Sequence, residues 1–314
     1  MSVGVSNNVE QSKIVFSIII GLVSTEDSER IFEVLTALHK QEGEYSFEVI
    51  LADRTHNKMI IAGNSLFKHV RIFHYAKETT LPALRTYALD QALGKYVIVI
   101  EDHTVPALNW LEEIYNAFQI SPINTVAVGG CVENGMTHSV LDWATFFCEY
   151  SNFLYPVDEG INVGIPGMNI AYKRNVLITV DRTKLLSGFW ESTAHPPLLE
   201  QGLNFITSNK IIIYHKKKFT FKFFLKQRYF YSKYFAGQRV HNRSKMIKLI
   251  FGCCTLLLPI ILIYRVFSNI IKKKRLKMML FKATPFLLVF YAYWALGEMS
   301  GYIFGAKNAL EKIE

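Results

Sequence analysis

Acidic side chains nearly vanish from the last third of this 314-residue chain. Residues 210–314 carry 3 Asp and Glu against 21 Lys and Arg, net +18, whereas residues 1–209 carry 23 against 14, net −9. A polarised charge of this kind predicts that the C-terminal third meets something anionic. Cysteine is scarce too. Cys131, Cys148, Cys253 and Cys254 have no Cys-x-x-Cys spacing, which argues against structural zinc and a disulfide scaffold and predicts a reducing compartment. No Gly-x-Gly-x-x-Gly follows the first strand-like run, and no Gly-x4-Gly-Lys-Ser/Thr occurs anywhere. A dinucleotide fingerprint and a P-loop are thereby set aside. The opening residues MSVGVSNNVEQSK lack a charged n-region and an apolar h-region, so no signal peptide is expected and the acidic part is expected in the cytosol.

Apolar residues make up 50% of the chain and charged ones 19%, which excludes intrinsic disorder. Two runs carry no charge: Leu249 to Tyr264, 16 residues, and Ala283 to Gly297, 15 residues. Each falls short of the roughly 20 residues of a perpendicular span. Such runs have no use in a nucleic-acid domain, whereas basic flanks suit an anionic phospholipid membrane. The expectation is a hairpin dipped into the cytosolic leaflet, not two spans. Its connector carries Lys272, Lys273, Lys274, Arg275, Lys277 and Lys282, and basic loops stay cytosolic. Pro259 interrupts the first run, and Glu298 after the second would be costly at a bilayer centre. The stretch from Phe219 to Phe235 alternates aromatic and basic residues, which predicts an interfacial helix with its aromatic face down.

Upstream, strand-like runs recur at Val15–Ile20, Phe47–Ala52, Val70–Tyr75, Tyr96–Ile100 and Thr125–Val128. They are nearly continuous β-branched or aromatic segments, as in strands covered on both faces. Between the first two, Asp27 or Ser28 can cap a helix with Ile31, Val34, Leu35 and Leu38 on one face. Thr80 and Pro82 open a second helix running to about Leu93. The β-α-β-α-β order predicts a parallel sheet with helices on its faces. Ligands of such sheets bind beyond the carboxyl ends of the strands. Asp53 stands there after the second strand, and Glu101, Asp102 and His103 after the fourth. Carboxylate and imidazole together can hold a divalent ion that neutralises a leaving diphosphate, while a separate carboxylate takes a proton from an incoming hydroxyl. Arg85, in the helix before the fourth strand, can reach a phosphate. A Gly-rich turn, GIPGMN, in which Gly167 and Asn169 are expected to shape a tight bend, precedes Trp190 and Glu191.

In order and spacing, SIII, Asp53, LPALRTYALDQALGKYVIVIEDH, Pro106, Trp110, VGGCVENG, IPGMNIAYKR and GFWES resemble the inverting glycosyltransferases of family 2, over roughly residues 14 to 240. The resemblance implies a GT-A fold, α/β with a mostly parallel sheet and helices on both faces, here followed by amphipathic and hydrophobic C-terminal helices. It also implies a nucleotide-sugar donor, with the base near Asp53 and the diphosphate and a divalent metal, Mn or Mg, at the triplet. By the family's register, His103 falls at the metal-ligand position beside Asp102, Glu101 faces the ribose, and Glu191 is the catalytic base with Trp190 beside it on the acceptor side. The Gln-x-x-Arg-Trp signature of processive synthases is not reproduced at Gln227, Arg228 and Tyr229, which favours single-sugar transfer. The expected organisation is 1–13 flexible, 14–215 catalytic, 216–246 basic and aromatic, 247–304 a membrane hairpin and 305–314 a tail. The expected acceptor is a lipid-linked or glycan hydroxyl, and no nucleic acid is involved. Two rivals remain: a catalytically silent membrane adaptor with the same fold, and a nucleotidyltransferase. The latter would be soluble and open with a basic Gly-rich loop, where this chain has GLVSTED.

Overall fold

The computed structural model describes residues 14–24, 29–58, 60, 69–188 and 190–313, with Ser187, Trp190 and Ser192 described by backbone alone. Asp27, Ser28 and the 1–13 segment therefore lie outside the described residues. The strands are β1 (Phe16–Leu22), β2 (Phe47–Asp53), β3 (Val70–His74), β4 (Tyr96–Glu101), β5 (Thr104–Pro106), β6 (Thr125–Asn134), β7 (Gly160–Ile161), β8 (Ile170–Lys173) and β9 (Asn204–His215). The helices are α1 (Arg30–His39), α2 (Leu81–Gln91), α3 (Trp110–Ile120), α4 (Val140–Tyr150), α5 (Arg174–Leu177), α6 (Arg182–Ser187), α7 (Trp190–Thr193) and α8 (His195–Glu200). After β9 come α9 (Phe221–Arg239), α10 (Lys245–Cys254), α11 (Leu258–Lys272) and α12 (Lys277–Phe304).

β1 is buried at all seven positions, because helices cover both faces of the sheet. Ile18 and Ile20 point into one apolar layer with Ile31, Val34 and Leu38 of α1, while Ile19 points into the other with Leu84 and Ala88 of α2. The strand order is β3-β2-β1-β4-β8-β6-β9-β5, with β7 on β9. The first four strands are parallel, as the β-α-β-α-β pattern predicts. Beyond β4 the sheet is mixed: β8 runs antiparallel between β4 and β6, and β5 runs antiparallel to β9. β5 is the step that matters for function, since its register sets Thr104 against His215.

The two uncharged runs lie within longer helices. Lys245–Lys272 and Lys277–Phe304 are each 28 residues, long and apolar enough to cross a membrane by length and composition, so the shortfall expected from the uncharged runs alone does not hold. A 3-10 turn at Thr255–Leu257 breaks the first, and Pro259 then sits in the opening turn of α11, where its missing N–H costs nothing. One face of α12, from Leu280 to Tyr291, joins the layer that also holds Ile18 and α1. The other face leaves Met278, Phe281, Leu288, Tyr293 and Leu296 exposed. α9 packs along α12 so closely that a Cβ at Gly297 would meet Ser232 and the Tyr229 carbonyl, and one at Gly301 the Lys233 carbonyl. Of the eight aromatic side chains of α9, Phe224 and Tyr234 are buried, five are half-buried and Phe221 is exposed, so they do not form the single outward face that the alternating composition predicts. Glu298 is buried but not alone: Trp294 Nε1 donates to it at 2.9 Å, Tyr302 OH at 2.9 Å and Arg239 at 3.0 Å. Two of the connector cations are likewise used by the protein. Lys273 donates to the Leu154 and Pro156 carbonyls, and Arg275 pairs with Glu133 at 2.7 Å.

Candidate active site

The carboxyl ends of β4 and β9 meet in a cleft of about 440 Å³. A tight turn between β4 and β5 presents Glu101, Asp102 and His103, held by the Thr104 hydroxyl, which accepts from the Glu101 N–H at 3.0 Å and donates to its carbonyl at 2.9 Å. His103 Nε2 lies 3.1 Å from Glu101 Oε2 and 3.1 Å from His215 Nε2. Its Nδ1 is 2.6 Å from Asp102 Oδ1. Glu101, His103 and His215 thus offer three ligating atoms within 4.8 Å of one another. Burial works against a charged His103, but the hydrogen bonds to Asp102 and Glu101 outweigh it and hold its pKa above the ordinary value. His215 is pushed well below its ordinary value by burial and by the charge on His103. Burial would raise Glu101; His103 and Arg85 instead hold it far below the usual carboxylate range.

This set fits a divalent cation. Two imidazoles and one carboxylate suit Mn²⁺ better than Mg²⁺, which prefers all-oxygen ligands. The Asp102 bond to Nδ1 aims Nε2 of His103 at the cluster, the usual carboxylate support of a metal-bound histidine. The structure therefore redistributes the expected roles. His103 stands at the expected position; Glu101, expected at the ribose, has a carboxylate oxygen 3.1 Å from His103 Nε2; and Asp102, expected as a ligand, is hydrogen-bonded to His103 Nδ1. His215 was missed, although it ends a strand-like run, IIIYH, and strand ends are where this fold places ligands.

Arg85 is only 3% exposed, sits 3.6 Å from Glu101 and lines the cleft with its Nε unpartnered. Lys217, just past β9, adds a second cation to the wall. Glu191, on α7, reaches the same cleft, and its carboxylate rests on Gly167, where any Cβ would overlap it. The side chain of Trp190 lies outside the described residues.

Two expected site residues are turned inward. Asn169 is fully buried; it accepts from Trp110 Nε1 at 2.8 Å and donates to the Cys131 and Ile211 carbonyls. It ties α3 to the sheet and holds the turn that carries Gly167. Asp53 stands at the end of β2, yet its oxygens are saturated by the Thr55 N–H and hydroxyl, the His56 N–H and the His74 ring. It shapes that turn and is not part of the cleft lining. The far wall comes from Glu149 of α4, Arg228 and Tyr231 of α9 and Trp294 of α12. Arg228 pairs with Glu149 at 2.5 Å and lies over the Phe224, Tyr231 and Trp294 rings.

A sheet of this order with a strand-end metal set is the GT-A-type glycosyltransferase architecture. The family model described as Glycosyl transferase family 2 matches residues 17–178, more than half of the chain, and the chain belongs to that family. Among solved structures, it is similar to GalNAc-T7 with UDP, GalNAc and Mn²⁺, at 13% identity and a TM-score of 0.51, over 67% of this chain and 45% of that one. It is also similar to the mannosyltransferase PcManGT from Pyrobaculum calidifontis in complex with GDP-Man and Mn²⁺, at 13% identity and a TM-score of 0.50, over 91% and 73%. The chain thus spans less than half the length of the former. No curated protein sequence matches it.

Proposed function

We propose that this protein transfers a single sugar from a nucleoside diphosphate sugar to a hydroxyl of a lipid-linked or glycan acceptor, with inversion, at the cytosolic face of a membrane. The observation that carries this is one cleft gathering a metal-ligating trio, a buried arginine and a carboxylate on a glycine. Glu101, His103 and His215 would hold a divalent ion, which would neutralise charge on the diphosphate; two structures of similar fold contain Mn²⁺ together with a nucleotide or nucleotide sugar. Arg85 and Lys217 supply further positive charge where the diphosphate leaves. Glu191 takes the acceptor proton as the hydroxyl oxygen attacks the anomeric carbon and the bond to the diphosphate breaks. Direct displacement inverts that carbon.

Membrane contact is supported by the exposed apolar faces of α10, α11 and α12. Coverage of α12 along its length by α4 and α9, and docking of the connector on the catalytic unit through Lys273 and Arg275, favour helices lying along the surface over two crossings. Residues 14–215 then form the catalytic unit and 216–304 the membrane-facing one.

Purified protein screened against a panel of nucleotide sugars should release the nucleoside diphosphate with Mn²⁺ and lose that activity in EDTA. Glu191→Gln should keep donor binding while transfer falls by about 10²- to 10⁴-fold. No release from any donor, with or without metal, would overturn catalysis in favour of a silent adaptor.

A further inference from the structure

A second hollow of about 440 Å³ lies away from the cleft, between the end of α9, the start of α10 and the last turns of α12. Arg239, Arg243 and Tyr302 form a polar rim, and Ile247, Ile250 and Phe251 an apolar floor. Arg239 is committed to Glu298 and Tyr302. The exposed guanidinium of Arg243 has no hydrogen-bond or ion-pair partner among the described residues. The floor is itself partly open, Ile250 at 56% and Phe251 at 46%, and Leu256 and Leu257 in the 3-10 turn and Ile260 at the start of α11 are exposed as well.

We propose that this hollow binds one anionic phospholipid, its phosphate on Arg243 with Arg239 alongside, its acyl chain over Ile247, Ile250 and Phe251. Charge complementarity selects the headgroup. Two guanidinium groups against one carboxylate leave the rim net positive, and guanidinium takes phosphate oxygens in bidentate fashion. A choline headgroup would bring a cation to that rim, and free phosphate would leave the apolar floor uncovered. The site also touches the catalytic cleft. Arg239 neutralises Glu298, Glu298 accepts from Trp294 Nε1 at 2.9 Å, and the Trp294 ring lines the cleft beside Arg228. A phosphate that draws on Arg239 is therefore felt at Trp294. The inference rests on the reading of the outer face of α10–α12 as membrane-bound.

Calorimetric titration of the full chain with monomeric dihexanoyl phosphatidylglycerol should show one site. Loss of a charged hydrogen-bond partner predicts that Arg243→Ala weakens it about tenfold or more, and Ile247→Asp should abolish it. Lys272→Ala, an exposed cation outside the lining of the hollow, should change nothing. Dihexanoyl phosphatidylcholine and inorganic phosphate should not bind. The phosphatidylglycerol analogue should shift the tryptophan emission of the parent protein but not of Trp294→Phe. Equal binding of the choline analogue, or Arg243→Ala binding as the parent does, would overturn the site. Failure of the parent protein to sediment with vesicles of phosphatidylcholine and phosphatidylglycerol would instead overturn the membrane reading, and the short-chain titration would still decide the lipid site.

Discussion

At the scale of single residues, three histidines with the same side chain do three different jobs because their neighbours differ. His103 is turned by Asp102, His215 is kept neutral beside it, and His195 is buried against Tyr172, 2.7 Å from its hydroxyl. Removing an outer-shell carboxylate typically costs 10- to 100-fold in metal affinity, so Asp102→Asn should weaken Mn²⁺ binding by about that much and His215→Ala by more. Titration of free Mn²⁺ by electron paramagnetic resonance checks this, and unchanged affinity in both variants would remove the metal from the trio. His195 gives a pH signature. Burial lowers its pKa to about 4 in the folded state, against about 6.5 unfolded. Below pH 6.5 the unfolded chain binds the extra proton, so stability from this group is full above that value and is lost as pH falls toward 4. Between pH 7 and 5 the loss is about 2 kcal/mol. Chemical unfolding should show the parent protein losing that much more than His195→Gln over the same interval; parallel curves would mean His195 is not buried neutral.

At the scale of elements, the contact between α9 and α12 decides the far wall of the cleft. Gly297 and Gly301, four residues apart on α12, let the backbone of α9 approach within the reach of a methyl group, the spacing by which small residues bring helices together. Arg228 and Trp294 reach the cleft only at that distance. Overpacking of a close contact costs about 1–3 kcal/mol, so Gly297→Val should lower stability by that order and, by pushing Trp294 away from Arg228, reduce transfer more than its stability loss explains. Normal turnover in a protein that still folds would show that the helix pair does not shape the site. The bare composition of α9 suggested a helix facing lipid because alternating aromatic and basic residues look the same whether the aromatic side packs on a bilayer or on another helix. Only the glycines of α12, more than fifty residues away in the chain, distinguish the two.

For the whole molecule, the question is on which side of a bilayer the connector between α11 and α12 lies. A cysteine at Lys272, exposed in the structure, in a background without native cysteines, should resist a membrane-impermeant thiol reagent in intact cells and react after permeabilisation. Labelling without permeabilisation would place the connector outside and turn the two 28-residue helices into a transmembrane pair.

What the sequence determined by itself was whatever depends on short-range periodicity. Runs such as FSIIIGL specify strands buried on both faces, the spacing of Ile31, Val34, Leu35 and Leu38 specifies the face of α1, and the strand-end rule points to Glu101–His103 as the chemical centre. The family resemblance added the donor class and Glu191, which the structure brings into the cleft. Only the tertiary structure decided which of these groups act together. His215 joins His103 across 112 residues through the β5–β9 register, Asp53 is withdrawn from the cleft by its own turn, and Arg228 and Trp294 enter it through helix packing. The physical reason is range: a strand or helix pattern repeats over two to four residues, whereas a site is built from side chains whose separation is set by sheet register and interhelical distance, quantities that no local stretch of sequence contains.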